Sequence, residues 1–349
     1  MTAPTAEAVR SALRTVSTGG TLTPEEAESV MAAVLDGDVT PAQLGGLLIG
    51  MHARGETPAE LAGFVRALRS RAIGVDAPQG TIDTCGTGGD VRGTFNISSA
   101  VALVVAAAGV PVAKAGNRAV SSQAGSSDVM AALGLRVEQS AAEAELSLRK
   151  DGFAYLHAPS FHPGMRHAGA VRQELGVRTA FNMIGPLANP ARPRRQLVGV
   201  PDHEAARSVA GALHELGSER AFVVHGDRLD ELPLDGSGII FDVSPAGVEQ
   251  RTLSQGEHGL PEAATEALRG GDGATNARLI VAILEGRERG PAHDVVALNA
   301  GASLLVAGRT DDLHAAVQLA IETIASGAAR DQLERLRESA RPASGQAGA

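Results

Sequence analysis

The chain has 349 residues, 44% of them hydrophobic, and a formal net charge of −9 at pH 7. This length suffices for one large domain plus a smaller one. Aromatic residues make up only 2%, Trp is absent and the balance is acidic, whereas nucleic-acid binders combine basic stripes with stacking aromatics. We therefore expect no nucleic-acid partner. The single cysteine, Cys85, excludes an internal disulfide and a cysteine-based zinc cluster.

The sequence also argues against a membrane location. Its apolar stretches fall short of the roughly 20 residues that a membrane-spanning helix needs. Residues 1–10 lack the basic-then-apolar pattern of a signal peptide. We expect a cytoplasmic protein that contacts no membrane.

The first 75 residues predict a small helical domain. Three segments, Thr23–Glu26, Thr40–Gln43 and Thr57–Glu60, each place Thr at the N-cap, Pro at the first helical position and Glu or Gln at the third. This is a capping box with a proline whose missing N–H costs nothing at that position. Gly55 is expected to end the second of these helices.

From about Thr81, short apolar runs alternate with helical stretches. This alternation is typical of the α/β class, and we expect a small all-helical domain plus a large α/β domain (residues 76–349) with a central, mostly parallel sheet. The predicted strands are Thr81–Thr84, Val110–Ala113, Phe153–Leu156, Gln196–Val200 and Ala221–His225, with Ile239–Val243 and Val248–Leu253 as an antiparallel pair at the edge. The predicted helices include Ser98–Ala108, Ala141–Lys150 and Glu204–Leu216.

A glycine-rich loop, Gly86–Asp90, follows the first predicted strand. Glycines let backbone N–H groups approach an anion, and the start of the next helix adds partial positive charge. The loop matches neither a Walker loop nor the dinucleotide fingerprint. A bare turn is the alternative interpretation, but Thr94, Asn96 and Ser98 add hydroxyl-binding and metal-ligating groups. We expect the loop to bind phosphate or pyrophosphate, and Cys85 to be a small buried residue at the strand's end.

A second polar loop, Lys114–Ser122, follows the next predicted strand, and Gly125–Asp128 opens the helix after it. Two cations, an amide and several hydroxyls thus lie at the carboxyl end of a strand, where open α/β sheets bind ligands. A solvated basic turn is the alternative, but the density of hydroxyls and glycines favours a binding loop.

Six motifs, in this order, resemble the anthranilate phosphoribosyltransferase family. They are Gly86–Asp90, Lys114–Ala119, His162–Arg166, Val171–Thr179, Phe181–Pro190 and Leu229–Glu231. The likeness covers nearly the whole chain. It implies a Mg²⁺-dependent enzyme that transfers the 5-phosphoribosyl group from phosphoribosyl pyrophosphate to the amine of anthranilate, in the second step of tryptophan biosynthesis.

The resemblance further implies a homodimer of two-domain subunits. The small domain would comprise residues 1–75 plus about 170–190, with the site in the hinge cleft. Anthranilate would meet Gly86, Asn117, His162 and Arg172, and two Mg²⁺ ions would use Ser98, Asp230 and Glu231. The donor would bind Gly86, Gly89, Asp90, Thr94, Asn96, Ile97, Ser98, Ser99, Lys114, Gly116, Asn117, Arg118, Ala119, Val120, Ser121, Ser122 and Ser126.

Elementary chemistry agrees with these implied roles. Oxygen ligands such as Asp230 and Glu231 suit Mg²⁺, although carboxylate pairs usually form a solvated surface. Arg172 can hold a carboxylate through two parallel N–H bonds, with a helix-surface salt bridge as the alternative. The aniline nitrogen is neutral at pH 7 and can attack without prior deprotonation, so we nominate no general base. Catalysis would rest on stabilising the departing pyrophosphate and orienting the nucleophile.

Three positions depart from the family pattern. Ala115 stands where His is common, Val91 and Arg92 follow Asp90 where Gly is common, and Arg228 replaces the Gly before Leu-Asp-Glu. These changes leave the identity of the acceptor open. The rival interpretations are a phosphoribosyltransferase acting on another aromatic amine or azole, a pyrimidine-nucleoside phosphorylase, and a catalytically silent nucleic-acid-binding relative. The glycine loop and the acidic pair argue against the phosphorylase.

Overall fold

The computed structural model describes residues 3–89, 92–118 and 124–341. Met1 and Thr2, Asp90 and Val91, residues 119–123 and the tail 342–349 lie outside the described residues. The expected binding roles of Asp90, Ala119, Val120, Ser121 and Ser122 therefore stay predictions.

Four helices open the chain, and the start signals predicted for three of them are confirmed. They are α1 (Ala3–Ser17), α2 (Pro24–Leu35), α3 (Pro41–Arg54) and α4 (Pro58–Arg71). Thr23, Thr40 and Thr57 each form the predicted capping box with Pro at the first position. Gly55 ends α3 with φ of 85°, a backbone conformation that favours glycine.

The predicted central sheet is confirmed, with seven strands in the order β3-β2-β1-β4-β5-β6-β7. The first five are parallel, and the last two form the expected antiparallel pair. The strands are β1 (Ile82–Gly86), β2 (Val112–Gly116), β3 (Phe153–His157), β4 (Arg195–Gly199), β5 (Arg220–His225), β6 (Ile239–Ser244) and β7 (Gly247–Thr252). The chain runs outward from β1 through β2 to β3 and then returns to β4 on the other side of β1. This reversal of strand order is where α/β sheets place ligands, beyond the carboxyl ends of the strands.

The predicted ends of two strands are wrong. β1 continues to Gly86 and not to Thr84, and β2 covers Val112–Gly116 where the sequence predicted Val110–Ala113. Lys114 therefore lies inside β2, paired with Tyr155 of β3, and not in the loop after the strand. A run of apolar residues is a poor guide to the end of this strand, because β2 continues through polar residues that are buried and hydrogen-bonded inside the protein.

Helices cover both faces of this sheet. On one face α5 and α13 pack against the strands, with α12, α14 and α15 packed around them. On the other face α11 packs against the strands, and the helical layer of α2–α4 with α9 and α10 packs on α11 through α4 and α10. Pro186 lies in the last turn of α10. The helices are α5 (Ile97–Ala107), α6 (Ser126–Ala132), α7 (Ala141–Asp151), α8 (Ala158–Phe161), α9 (Arg166–Leu175), α10 (Ala180–Leu187), α11 (His203–Glu215), α12 (Gly273–Leu284), α13 (Pro291–Val306), α14 (Leu313–Ala325) and α15 (Ala328–Ala340), with 3-10 turns at Pro163–Met165, Gln255–Glu257 and Thr265–Leu268. Within the described ranges, no helix combines the length and apolarity of a membrane span.

Candidate active site

Two glycines at the reversal of strand order form the floor of the site. Gly86 ends β1, Gly199 ends β4, and the two residues pair in register. A Cβ at Gly86 would overlap the carboxylate of Asp230, and a Cβ at Gly199 would overlap the backbone carbonyl of the same residue. Asp230 therefore reaches this point only because neither strand end carries a side chain.

The glycine loop closes over the same acidic residue. Thr87 N donates to Gly199 O at 2.8 Å, which ties the start of the loop to β4. Gly88 N then donates to Asp230 Oδ2 at 3.0 Å. The loop thus presents a backbone N–H to an anionic oxygen of the protein itself, and its expected binding of phosphate stays a prediction.

The loop that carries the acidic pair is anchored from α13. Asn299 is fully buried; its Oδ1 accepts from Leu232 N at 2.9 Å and its Nδ2 donates to Leu232 O at 3.0 Å. Asp230 is half-buried and Glu231 is buried. Sequence reasoning missed Asn299, whose only signal is an amide within the largely apolar stretch Val295–Val306 of α13.

Lys114 lies beneath the glycine loop, with its side chain only 1% exposed. Its Nζ donates to Thr84 O at 2.6 Å and to Ser98 Oγ at 3.2 Å. Ser98 stands in the first turn of α5, so the ammonium fixes the position of this hydroxyl relative to β1. The arrangement also places a positive charge under the expected phosphate site.

A buried carboxylate, Asp83, joins three segments below the site. Its Oδ2 accepts from Asn189 Nδ2 at 2.7 Å and from Cys85 Sγ at 3.3 Å, and its Oδ1 accepts from Ala115 N at 3.2 Å. Burial raises the pKa of Asp83, and the charge of Lys114 opposes that rise. Burial also raises the pKa of the Cys85 thiol well above its ordinary value, so Cys85 is a structural residue, as predicted.

The helical layer contacts the glycine loop through Arg178, which lies between α9 and α10. Its Nη1 donates to Gly88 O at 2.7 Å, and a Cβ at Gly89 would overlap its guanidinium. Sequence reasoning quoted Arg178 and Asn189 within motifs but assigned neither a role. Their place in those motifs was the available signal.

The remaining residues expected to bind phosphoribosyl pyrophosphate lie at the start of α5, at the end of β2 and on the segment before α5. Asn96 Nδ2 donates to Ala124 O at 3.2 Å, and Asn96 Oδ1 accepts from Asn276 Nδ2 at 2.9 Å. Ile97 and Ser99 are buried in α5, and their expected contacts with the donor stay predictions. Gly116, Asn117, Arg118 and Ser126 come together at the end of β2, whereas Thr94 lies on a separate segment, in a bridge to Arg269.

Arg172 is a desolvated cation in the last turn of α9. Its guanidinium carbon lies 5.2 Å from the centroid of the Phe181 ring, and burial lowers its pKa. Among the described residues no carboxylate forms a salt bridge with it, so the alternative of a helix-surface pair is wrong within that range. Burial likewise lowers the pKa of His162, against an opposing hydrogen bond to the backbone of Ala188, which leaves this imidazole neutral at pH 7.

The donor atoms of Ser98, Asp230 and Glu231 are all oxygens, the ligands that Mg²⁺ prefers. In the described part of the chain, no three His, Cys, Asp or Glu side chains converge into a complete cage. Mg²⁺ commonly binds through one or two carboxylates together with waters and substrate phosphates. The residues therefore fit a Mg²⁺ ion whose coordination the substrate completes.

Comparison with known proteins identifies the family. Two family models match the chain: the helical bundle domain of a glycosyl transferase family over residues 10–72 and the a/b domain of such a family over residues 78–330. An anthranilate phosphoribosyltransferase of Desulforudis audaxviator is 49% identical over 332 residues, covering 95% of this chain and 96% of that protein. The chain belongs to the anthranilate phosphoribosyltransferase family.

Solved structures agree with this membership. The crystal structure of anthranilate phosphoribosyltransferase from Thermus thermophilus is 44% identical, with a TM-score of 0.90 and coverage of 96% of this chain and 99% of that one. The enzyme from Saccharomyces cerevisiae, in complex with phosphoribosyl pyrophosphate and Mg, is 24% identical with a TM-score of 0.85 and coverage of 95% and 97%. At that identity, the likeness demonstrates the shared fold.

Two departures from the family pattern lie on the loops around Asp230. Arg92 forms ion pairs with Asp227 and, at 3.7 Å between Nη1 and Oε1, with Glu266. Its charge is therefore balanced outside the glycine floor. Arg228 has φ of 58°, in the left-handed region where a glycine carries no penalty. A glycine at this position would adopt the same backbone conformation without strain.

We expect Gly199→Ala to lower the free energy of unfolding by about 1–3 kcal/mol, the usual cost of overpacking. The added Cβ would overlap Asp230 O, which must then move. Urea denaturation measures the effect. Gly74→Ala, where a Cβ would meet open space, is the matched control and should stay within about 0.5 kcal/mol of the parent. Equal losses in both variants would contradict the crowding of Asp230 by β4.

We expect Arg228→Gly to raise the free energy of unfolding by roughly 0.5–1 kcal/mol. Relief of the left-handed strain outweighs the extra entropy that glycine gives the unfolded chain. Arg228→Ala, which removes the same side chain but keeps the strain, separates the two effects in thermal denaturation. A gain of the same size in the alanine variant would show that the side chain, and not the backbone, is responsible.

Proposed function

We propose that the protein transfers the 5-phosphoribosyl group from phosphoribosyl pyrophosphate to the amino group of anthranilate and releases pyrophosphate. One observation carries the proposal: a glycine loop and a paired acidic loop meet at the strand reversal, and the desolvated cation of Arg172 lies on the neighbouring helical layer. The relative from Desulforudis audaxviator carries this activity in its name. The reaction belongs to tryptophan biosynthesis.

The diphosphate of the donor would bind at the glycine floor. Loop N–H groups that include Gly88 N, now donating to Asp230, would turn to phosphate oxygens. The buried ammonium of Lys114 would favour the same negative charge from below. The end of β2, with Asn117, Arg118 and Ser126, would hold the rest of the donor.

Ser98, Asp230 and Glu231 would hold Mg²⁺, and we expect two ions per subunit. Bound there, Mg²⁺ would supply positive charge to the departing pyrophosphate. Asn299 acts on this site only through the backbone, since its amide fixes Leu232 directly after the acidic pair.

The protein would act on the reaction mainly by placement and charge. The bond from the anomeric carbon to pyrophosphate breaks through a loose state, and backbone N–H groups with Lys114 stabilise the leaving group. Arg172 would hold the anthranilate carboxylate through paired N–H bonds and aim the amine at the anomeric carbon. His162 is neutral and would form part of the acceptor channel wall. We assign no general base, because the attacking amine is neutral at pH 7.

We also propose a domain division, an oligomeric state and a cellular location for the protein. The small domain would comprise residues 1–75 plus about 170–190, the large domain residues 76–349, and the site would occupy the hinge cleft between them. Arg178, which joins the α9–α10 segment to Gly88, supports a site formed by both. The protein would be a cytoplasmic homodimer, and Ile49 of α3, an exposed apolar residue, is a candidate for burial by the second subunit. It would bind neither nucleic acid nor membranes.

A fluorescence assay with phosphoribosyl pyrophosphate, Mg²⁺ and anthranilate tests the reaction. We expect turnover with anthranilate and a KM for anthranilate about 10- to 100-fold higher in Arg172→Gln, because hydrogen bonds to a charged group are lost. With aniline, which lacks the carboxylate, the two proteins should differ little. Preference of the parent protein for an azole or another aromatic amine would overturn the acceptor assignment. Ala115, which stands where His is common, makes such a preference worth testing.

We expect the double variant Asp230→Asn with Glu231→Gln to lose most turnover and to need far more Mg²⁺ for half-maximal rate, because its carboxylate ligands are gone. A Mg²⁺ titration of the initial rate measures this. Asp235→Asn, an exposed carboxylate on the same loop, should titrate like the parent. Parental kinetics in the double variant would remove the metal assignment.

A further inference from the structure

The only tyrosine of the chain, Tyr155, carries a hydroxyl in the core close to the proposed donor site. Tyr155 is 1% exposed in the middle of β3. Its hydroxyl oxygen lies 2.8 Å from Ser126 Oγ and 2.9 Å from Ser127 Oγ. Burial raises the pKa of Tyr155, so the phenol is protonated at neutral pH.

The directions of these hydrogen bonds follow from the number of protons. Ser126 Oγ donates its single proton to Asn117 O at 3.2 Å. Its bond to Tyr155 must then be one that it accepts, and Tyr155 in turn accepts from Ser127. A chain of hydrogen bonds with one direction therefore runs from Ser127 through Tyr155 to Ser126 and ends at the carbonyl of Asn117.

Gly116 leaves space for these hydrogen-bonded hydroxyls because it has no side chain. A Cβ at Gly116 would overlap both the Ser126 hydroxyl and the Tyr155 hydroxyl. The ring of Tyr155 packs in the apolar core, where a polar group is costly unless it is hydrogen-bonded. Structural packing alone needs only the ring, so the hydroxyl requires a separate explanation.

We propose that Tyr155 is a positioning residue for the phosphoribosyl donor, acting through Ser126; this rests on the proposed function. Tyr155 holds Ser126 Oγ as an acceptor and so leaves its one proton free to choose between Asn117 O and a donor phosphate oxygen. When the donor binds, that proton turns from the carbonyl to the phosphate, while Tyr155 keeps donating and polarises the serine hydroxyl. Without the phenol hydroxyl, Ser126 rotates more freely and binds the phosphate less well.

Steady-state kinetics of Tyr155→Phe test the proposal. The KM for phosphoribosyl pyrophosphate should rise about three- to tenfold, as expected for the loss of one neutral hydrogen bond. kcat and the KM for anthranilate should change by less than about twofold, since neither depends on Ser126. In a Ser126→Ala background, Tyr155→Phe should add nothing further, because its path to the donor is already cut.

Phe153→Leu is the matched control for packing. Phe153 lies two residues earlier on β3, is buried in the same core and carries no hydroxyl. Its variant should lower the melting temperature without raising the KM for the donor. A raised donor KM in Phe153→Leu equal to that in Tyr155→Phe would overturn the proposal, as would full additivity of Tyr155→Phe with Ser126→Ala.

Tyrosine emission gives a second readout that does not need turnover. Because the chain has one Tyr and no Trp, its emission reports Tyr155 alone. Titration with phosphoribosyl pyrophosphate and Mg²⁺, against Mg²⁺ alone, should change the emission saturably with a midpoint that shifts in Ser126→Ala. Unchanged emission in a protein that transfers phosphoribosyl groups would overturn the role of Tyr155 and leave the function standing. A saturable change without transfer to any acceptor would support Tyr155 and overturn the reaction assignment.

Discussion

The geometry of the site depends on the close contact of Asp230 with two strand ends that carry no side chains. Parallel strands bring their carboxyl ends to one edge, and the strand order reverses between β1 and β4. Only glycine at both ends lets an acidic loop reach that edge. The loop must therefore be held at its other end, and Asn299 does so from α13. One steric condition thus links the sheet, a distant helix and the proposed metal ligands.

A buried polar layer under this floor gives the strand ends a fixed geometry. Removing Asp83 and Lys114 from water is costly, and such groups are tolerated only where hydrogen bonds satisfy them. Asp83 bonds to Asn189 and Ala115, while Lys114 bonds to Thr84 and Ser98. The partners come from both neighbouring strands, from α5 and from the turn after α10. Movement of any one element would leave a buried charge unsatisfied, so the layer favours a single arrangement of the site above it.

Sequence reasoning succeeded where the signals were local. Capping boxes span four residues, and strand–helix alternation needs only short windows, so the helical start and the α/β class were predictable. The ordered motifs brought the candidate site residues together. Strand ends were misplaced because Lys114 looks like a loop residue until its buried partners are known. Asn189 meets Asp83 across 106 residues of chain, and Asn299 meets Leu232 across 67; no local pattern encodes such pairs, and the same holds for the hydroxyl contacts of Tyr155.

Arg92 and Arg228, which depart from the family pattern, affect the loops beside the glycine floor more than the floor itself. Arg92 adds a cation to the glycine loop, but Asp227 and Glu266 balance it, so the field at the floor is still set by Lys114 and the acidic pair. Arg228 strains the backbone directly before Leu229, yet the loop beyond it remains anchored by Asn299. Both changes therefore act on how the two loops approach each other. Such changes would alter the contact between the two loops sooner than the floor, because Lys114 and the acidic pair are held from beneath by buried hydrogen bonds.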